Sequence, residues 1–143
     1  MGGTADPAAD QSLAGKLGFK HGQLVQEFGY DDDVDDDLRE SIEDVTGEEL
    51  LDEDADDIVD VVLLWWRDED GDLVDGLVDV LTSVAEGGVI WLLTPKSGRP
   101  GHVEPSEIQE AAPIAGLHAT KSISAGKDWA GTRLVAPSAG RKS

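Results

Sequence analysis

Asp60-Val61-Val62-Leu63-Leu64-Trp65-Trp66 holds the longest apolar run in the chain. After its aspartate the run is apolar on both faces, the pattern of a strand covered by helices on both sides of a parallel sheet. A polar turn follows, Asp68-Glu69-Asp70-Gly71. Leu73, Val74, Leu77, Val80, Leu81 and Val84 then recur at helical spacing up to Gly87-Gly88. Val89 to Thr94 reads as the next strand. Strand, helix, strand in this order is a right-handed crossover between parallel neighbours, with 60–66 expected as the central strand.

Upstream, Lys16 to Gly22 is a turn-rich entry and Gln23 to Phe28 a first strand that Gly29 ends. Tyr30 to Asp37 carries Asp31, Asp32, Asp33, Asp35, Asp36 and Asp37 ahead of Leu38, Ile42 and Val45, a narrow apolar stripe at helical spacing. Aspartates suit the positive end of a helix dipole, and Gly47 is placed to stop that helix. Glu48 to Asp57 offers only Leu50 and Leu51 as anchors and predicts a short turn or loose helix.

Downstream, Pro95 to Pro105 is a Gly- and Pro-rich loop, with Pro105 opening a helix over Ser106–Ala112. Leu117–Ser124 and Trp129–Val135, joined by Ala125-Gly126-Lys127-Asp128, form an antiparallel hairpin. The expected organisation is a disordered arm over 1–15, a single domain over 16–136 with an acidic segment at 31–57, and a disordered tail over 137–143.

Composition narrows the function classes. A chain of 143 residues suits one domain. It has no cysteine, which excludes disulfides, thiolate metal sites and cysteine nucleophiles. The first residues carry no secretory signature, and the longest apolar run is far short of the roughly 20 residues a membrane helix needs. A soluble cytoplasmic protein is expected.

The net charge is −20, and it is polarised. Between Glu27 and Glu86 only Arg39 and Arg67 oppose the acids, whereas basic residues outnumber acids after Glu86. Such a chain is repelled by nucleic acid and by anionic membranes. A solvated face is the plainer reading of these charges, and a docking face for a basic protein partner is the sharper one.

The order of elements looks like the second half of a methyltransferase-type doubly wound sheet. At finer grain the chain resembles the bacterial family called domain of unknown function 3052. The residues that carry the resemblance are Lys16-Leu17-Gly18-Phe19-Lys20 with Gly22, Asp60-Val61-Val62-Leu63-Leu64 with Arg67, Gly87-Gly88, Trp91, Pro95-Lys96-Ser97-Gly98, and Trp129-Ala130-Gly131-Thr132-Arg133-Leu134-Val135. The resemblance implies a small α/β, Rossmann-like sheet of degenerate methyltransferase type, mostly parallel with a C-terminal antiparallel hairpin and helices on both faces. It implies no particular reaction.

Familiar chemical motifs are incomplete. The turn Glu27-Phe28-Gly29-Tyr30-Asp31-Asp32 has one glycine where cofactor-binding turns have two or three, and its charge disfavours an anionic cofactor. Lys96-Ser97 lacks the glycines of a phosphate-binding loop. Around Gly71 the calcium-loop positions hold Trp66 and Leu77. His21, His102 and His118 are isolated. No cofactor, metal or catalytic residue is expected.

Two surfaces remain. Asp31, Asp32, Asp33, Asp35, Asp36 and Asp37 form the partner-binding candidate, with apolar help from Leu38, Ile42, Leu50 and Leu51. Arg67, Lys96, Ser97 and Trp129 form the ligand-binding candidate, since Arg67 and Lys96 follow the ends of neighbouring strands where open sheets bind ligands. The first makes the protein a non-catalytic binding or regulatory module. The second makes it a binder of a small anionic or nucleotide-like ligand, or a cryptic transferase. Imitation of nucleic acid by the aspartates is a further alternative.

Overall fold

The computed structural model describes residues 13–136. Along them run α1 (Leu13–Leu17), β1 (Val25–Phe28), α2 (Asp36–Thr46), β2 (Val59–Trp65), a 3-10 turn (Asp68–Asp70), α3 (Leu73–Leu81), β3 (Val84–Pro95), α4 (Pro105–Ile114), β4 (His118–Ser124) and β5 (Trp129–Val135). The sheet has five strands in the order β1-β2-β3-β5-β4. β1, β2 and β3 are mutually parallel. β5 is antiparallel to both β3 and β4, so β4 runs with the first three strands and β5 is the reversed strand inserted between parallel ones.

The double-sided apolar run explains why helices cover both faces. Val62 and Leu64 of β2, with Ile90, Leu92 and Leu134, pack against Leu73, Leu77 and Val80 of α3 and Ile108, Ala111 and Ala112 of α4. On the opposite face Val61, Leu63 and Trp65, with Trp91, Leu93 and Trp129, pack against Ala14 and Leu17 of α1 and Leu38 and Ile42 of α2. Alternate residues of one strand thus serve two cores. Each fully buried large apolar side chain contributes about 1.5–3 kcal/mol of transfer free energy.

Local signals act where expected. Asp35 caps α2 by accepting from the Leu38 amide at 3.1 Å. Gly47 closes the helix in the left-handed conformation, its amide donating to the Glu43 carbonyl.

Several expectations are corrected. β3, not β2, is the middle strand. α3 stops at Leu81, and Val84 belongs to β3. Gly87-Gly88 is a bulge inside that strand, where the register jumps from Val59↔Val84 to Val61↔Val89. A side chain on Gly88 would meet the Asp60 carbonyl oxygen at 2.8 Å. α1 starts within the stretch read as an arm, and its Ala14 is fully buried against α2. Residues 1–12 and the tail 137–143 lie outside the described residues.

Leu51 belongs to no helix or turn of the expected kind. It forms a parallel bridge to Gln26 on the free edge of β1, its amide donating to Val25 and its carbonyl accepting from Glu27. The chain therefore leaves β1 by way of α2, touches one side of β1 at Leu51, and returns to pair with its other side as β2. That reversal makes the carboxyl ends of β1 and β2 a topological switch point, where open α/β sheets bind ligands.

Candidate functional site

Two clefts open near the carboxyl ends of the strands. At the switch point, Gly29 turns the chain away from β1 at φ +79, and any β-carbon there would collide with the Trp65 carbonyl. Arg67, 8% exposed, folds back into the gap. Its Nη1 donates to the carbonyls of Gly29 at 2.8 Å and Trp65 at 3.3 Å. Its Nε donates to Asp33 Oδ2 at 3.1 Å and its Nη2 forms a short contact with Asp33 Oδ1. Asp70 accepts from the Arg67 amide at 2.9 Å.

The guanidinium lies 5.3 Å from the centre of the Trp129 ring. Trp129 in turn donates to the Asp33 carbonyl at 3.1 Å and meets Trp65 edge to face at 4.9 Å. Burial works against the Arg67 charge, and the Asp33 and Asp70 carboxylates outweigh it, holding Arg67 above the ordinary arginine range. The hydrogen bond from Arg67 correspondingly pulls Asp33 below the usual carboxylate range.

A second buried network adjoins it. Glu27, 5% exposed, accepts from Trp65 Nε1 at 2.8 Å and from Arg39 at 2.7 and 3.0 Å. The bond to Glu27 raises Arg39 above its ordinary range. Arg39 also lies 4.7 Å from the centre of the Tyr30 ring. Arg39 and Arg67 are thus both engaged in internal bonds, and acids outnumber them on the surface around them.

That surface is a groove around Tyr30, a residue 56% exposed. One cavity of about 380 Å³ is walled by Tyr30, Asp31, Glu53, Trp66, Asp70 and Asp79 among others. Another of about 350 Å³ shares Tyr30 and Glu53 and adds Asp52, Asp54 and the Glu27–Arg39 pair. Acids from the β1–α2 loop, from the segment after Leu51 and from the 3-10 turn converge here.

The sequence-predicted aspartates divide by role. Asp33 pairs with Arg67, Asp35 caps α2 and Asp36 pairs with Arg39 at 3.5 Å. Asp31 accepts from the Asp32 amide at 2.8 Å, while the side chains of Asp32 and Asp37 are exposed and have no partner among the described residues. Leu38 and Ile42 are fully buried and offer a partner nothing, while Leu50 and Leu51 are half-buried.

Arg67, Lys96, Ser97 and Trp129 do not share one cleft. Arg67 and Trp129 interlock at the switch point, and Trp129 is buried rather than cleft-lining. Lys96 and Ser97 line a different cavity of about 380 Å³ between the end of β3, the first turns of α4 and the β4–β5 hairpin. The separation follows from the backbone: Arg67 turns back towards β1, whereas the Lys96 amide donates to Asp128 beside β5 at 2.9 Å.

Sequence reasoning missed Glu27, Gln26, Thr94, Thr132 and Lys121. Polar residues inside an otherwise apolar strand were the available signal for Gln26 and Glu27. Gln26 is fully buried, its Nε2 donating to the carbonyls of Asp52 at 3.0 Å and Ala55 at 2.9 Å, which ties down the acidic segment. Among the described residues there is no group of three or more His, Asp or Glu placed to hold a metal. No helix there is long and apolar enough to cross a membrane.

A family model described as protein of unknown function (DUF3052) matches residues 14–138. Uncharacterised proteins of Mycobacterium tuberculosis and Mycobacterium bovis are 57% identical to this chain over 138 residues, covering 95% of it and 87% of each relative. Among solved structures, a SAM-dependent methyltransferase from Aquifex aeolicus is similar with a TM-score of 0.59 at 14% identity, over 91% of this chain and 93% of that one. The CcbJ methyltransferase from Streptomyces caelestis is similar with a TM-score of 0.55 at 11% identity, over 93% and 97%. At these identities the likeness is one of fold.

Proposed function

We propose that this chain, which belongs to the DUF3052 family, is a non-catalytic binding or regulatory module of the cytoplasm that docks a basic segment of a partner protein in the acidic groove around Tyr30. The observation that carries this reading is the state of the switch point. Its interior is occupied by the chain's own Arg67–Asp33 pair, and its rim is carboxylate from three separate loops around an exposed aromatic ring. The polar side chains at the switch point, Arg67, Asp33 and Glu27, are engaged in internal bonds, and the turn after β1 has a single glycine. Methyl transfer, the activity named for the Aquifex and Streptomyces neighbours, therefore finds little support in these residues.

A lysine or arginine entering the groove meets Glu53, Asp31 and the exposed Tyr30 ring, one face of which already carries Arg39. A cation over an exposed aromatic face is worth about 0.5–1 kcal/mol. The surrounding charge acts mainly on the encounter rate, which makes the interaction steeply salt-dependent. Nucleic acid and anionic membranes are repelled by the same field.

The test is capture of partners from the native cytosol on the tagged protein at low and at high salt, with bound proteins identified by mass spectrometry. A basic protein held at low salt and released at high salt supports docking. Competition of that protein with DNA assigns the groove to nucleic-acid mimicry. Retention of no basic protein at either salt refutes the proposal.

A further inference from the structure

We propose that the cleft between the end of β3, the start of α4 and the β4–β5 hairpin is a second, independent binding site, and that its ligand is a small organic anion. The argument begins with charge. In a chain of net charge −20, the residues lining this cavity include Lys96 and Lys121 and no carboxylate at all. Neither lysine has an ion-pair or hydrogen-bond partner for its side chain among the described residues, and Lys96 is half-buried.

The second observation is independent of charge. Thr94 is 3% exposed and lines the cavity, yet its hydroxyl has no hydrogen-bond partner among the described residues. Because Thr94 lines the cavity and its oxygen is not sealed from solvent, the hydroxyl is within reach of a ligand there. Such a hydroxyl is stabilised when a ligand supplies the missing bond. Beside it Thr132, 6% exposed, shares a hydrogen bond with Ser122 at 3.2 Å, and the pair can turn one proton towards an acceptor.

The remaining wall joins apolar Val103, Pro105 and Ile108 with polar His102, Gln109 and Thr120. A volume of about 380 Å³, mostly apolar with a few convergent polar groups, is the make-up of a small-molecule site. The arrangement suits an anionic head held between Lys96 and Lys121, an oxygen accepting from Thr94, and an apolar body against Ile108. The nearest acids are engaged elsewhere, Glu104 beside His102 at 3.7 Å and Asp128 paired with Arg99 at 3.1 Å, and charges beyond about 8 Å are largely screened at physiological ionic strength.

The experiment is a titration of the ¹⁵N-labelled full chain, followed by amide NMR shifts, with phenyl phosphate, benzoate and the uncharged benzamide as probes. Saturable shifts at Thr94, Ser97, Ser122 and Thr132 with at least one anion, and none with benzamide, are expected. Whichever anion binds more tightly identifies the head as phosphate or carboxylate. Amides of 31–37 at the acidic groove should stay still, so failure here and failure of partner docking are read separately. Lys96→Gln combined with Lys121→Gln should weaken binding tenfold or more while leaving the thermal midpoint in place. Thr94→Val, which keeps the side-chain shape, should weaken it severalfold. Shifts that never saturate with either anion, equal response to benzamide, or unchanged affinity in the double lysine variant would each overturn the proposal.

Discussion

Replacing Arg67 by methionine removes the one side chain that ties the turn after β1 to the turn after β2. The guanidinium donates to the Gly29 and Trp65 carbonyls, and it clasps Asp33. Hydrogen bonds from a charged donor contribute about 1.5–3 kcal/mol each when buried. Gly29 is half-buried and the Asp33 side chain is 55% exposed, so the Gly29 bond falls at the low end and the ion pair counts little more than a surface pair. Methionine recovers part of the packing against Trp129. The net loss is about 3 kcal/mol, which lowers the urea midpoint by roughly 1.5–2 M at an ordinary denaturant slope. Equilibrium unfolding followed by tryptophan fluorescence reads this directly, since Trp65 and Trp129 flank the site. Lysine at the same position should rescue little, because an ammonium cannot fork to Asp33 and both carbonyls. A methionine variant within about 0.5 kcal/mol of wild type, or a lysine variant of full stability, would refute the assignment of Arg67 as the internal plug of the switch point.

The depressed folded-state pKa of Asp33 gives a contribution that is present above the ordinary carboxylate range and lost as pH falls through and below it. Asp33→Asn should flatten that acid limb of stability, measured as thermal midpoint against pH from 7 down to 3, and an unchanged limb would count against the pair. Gly29→Ala places a β-carbon against the Trp65 carbonyl at a left-handed backbone position and should cost more than about 2 kcal/mol by calorimetry, whereas Gly98→Ala, also left-handed but with open space around it, should cost about 1 kcal/mol. Glu27→Gln keeps the shape of the side chain but takes the charge from a buried partner of Arg39, and should destabilise by about 1–3 kcal/mol in urea.

Sequence and structure agree where the signal is local. The two-faced run of β2 and the helical stripe that begins at Leu73 could be read directly, although the stripe's spacing continues past Leu81, where α3 ends, to Val84. So could aspartates at the start of α2, the stop at Gly47, Pro105 and the hairpin, because each rests on periodicity or on one residue's conformational preference. What escaped depends on partners far along the chain. Arg67 meets Asp33 across 34 positions, and Trp129 meets it across 96. Gly87-Gly88 has the chemistry of a helix stop, and only pairing with β2 makes it a bulge. Leu51 bridges one residue of β1, too short a strand to leave a pattern. The hydroxyl wall of Thr94, Thr132 and Ser122 assembles only because β5 inserts beside β3 and β4 pairs with β5. Charge segregation pointed correctly to where acids gather, but not to which of them are consumed as caps and ion pairs.

Quantitative affinity capture from native cytosol, comparing the wild-type chain with a variant carrying Asp31→Asn, Asp32→Asn, Glu53→Gln and Asp54→Asn, tests partner docking most directly. These side chains are exposed, and none of them takes part in an ion pair among the described residues, so the fold should persist. A basic protein bound by the wild type at low salt and lost from the variant is the predicted result. An interaction profile that the four substitutions leave unchanged would contradict it.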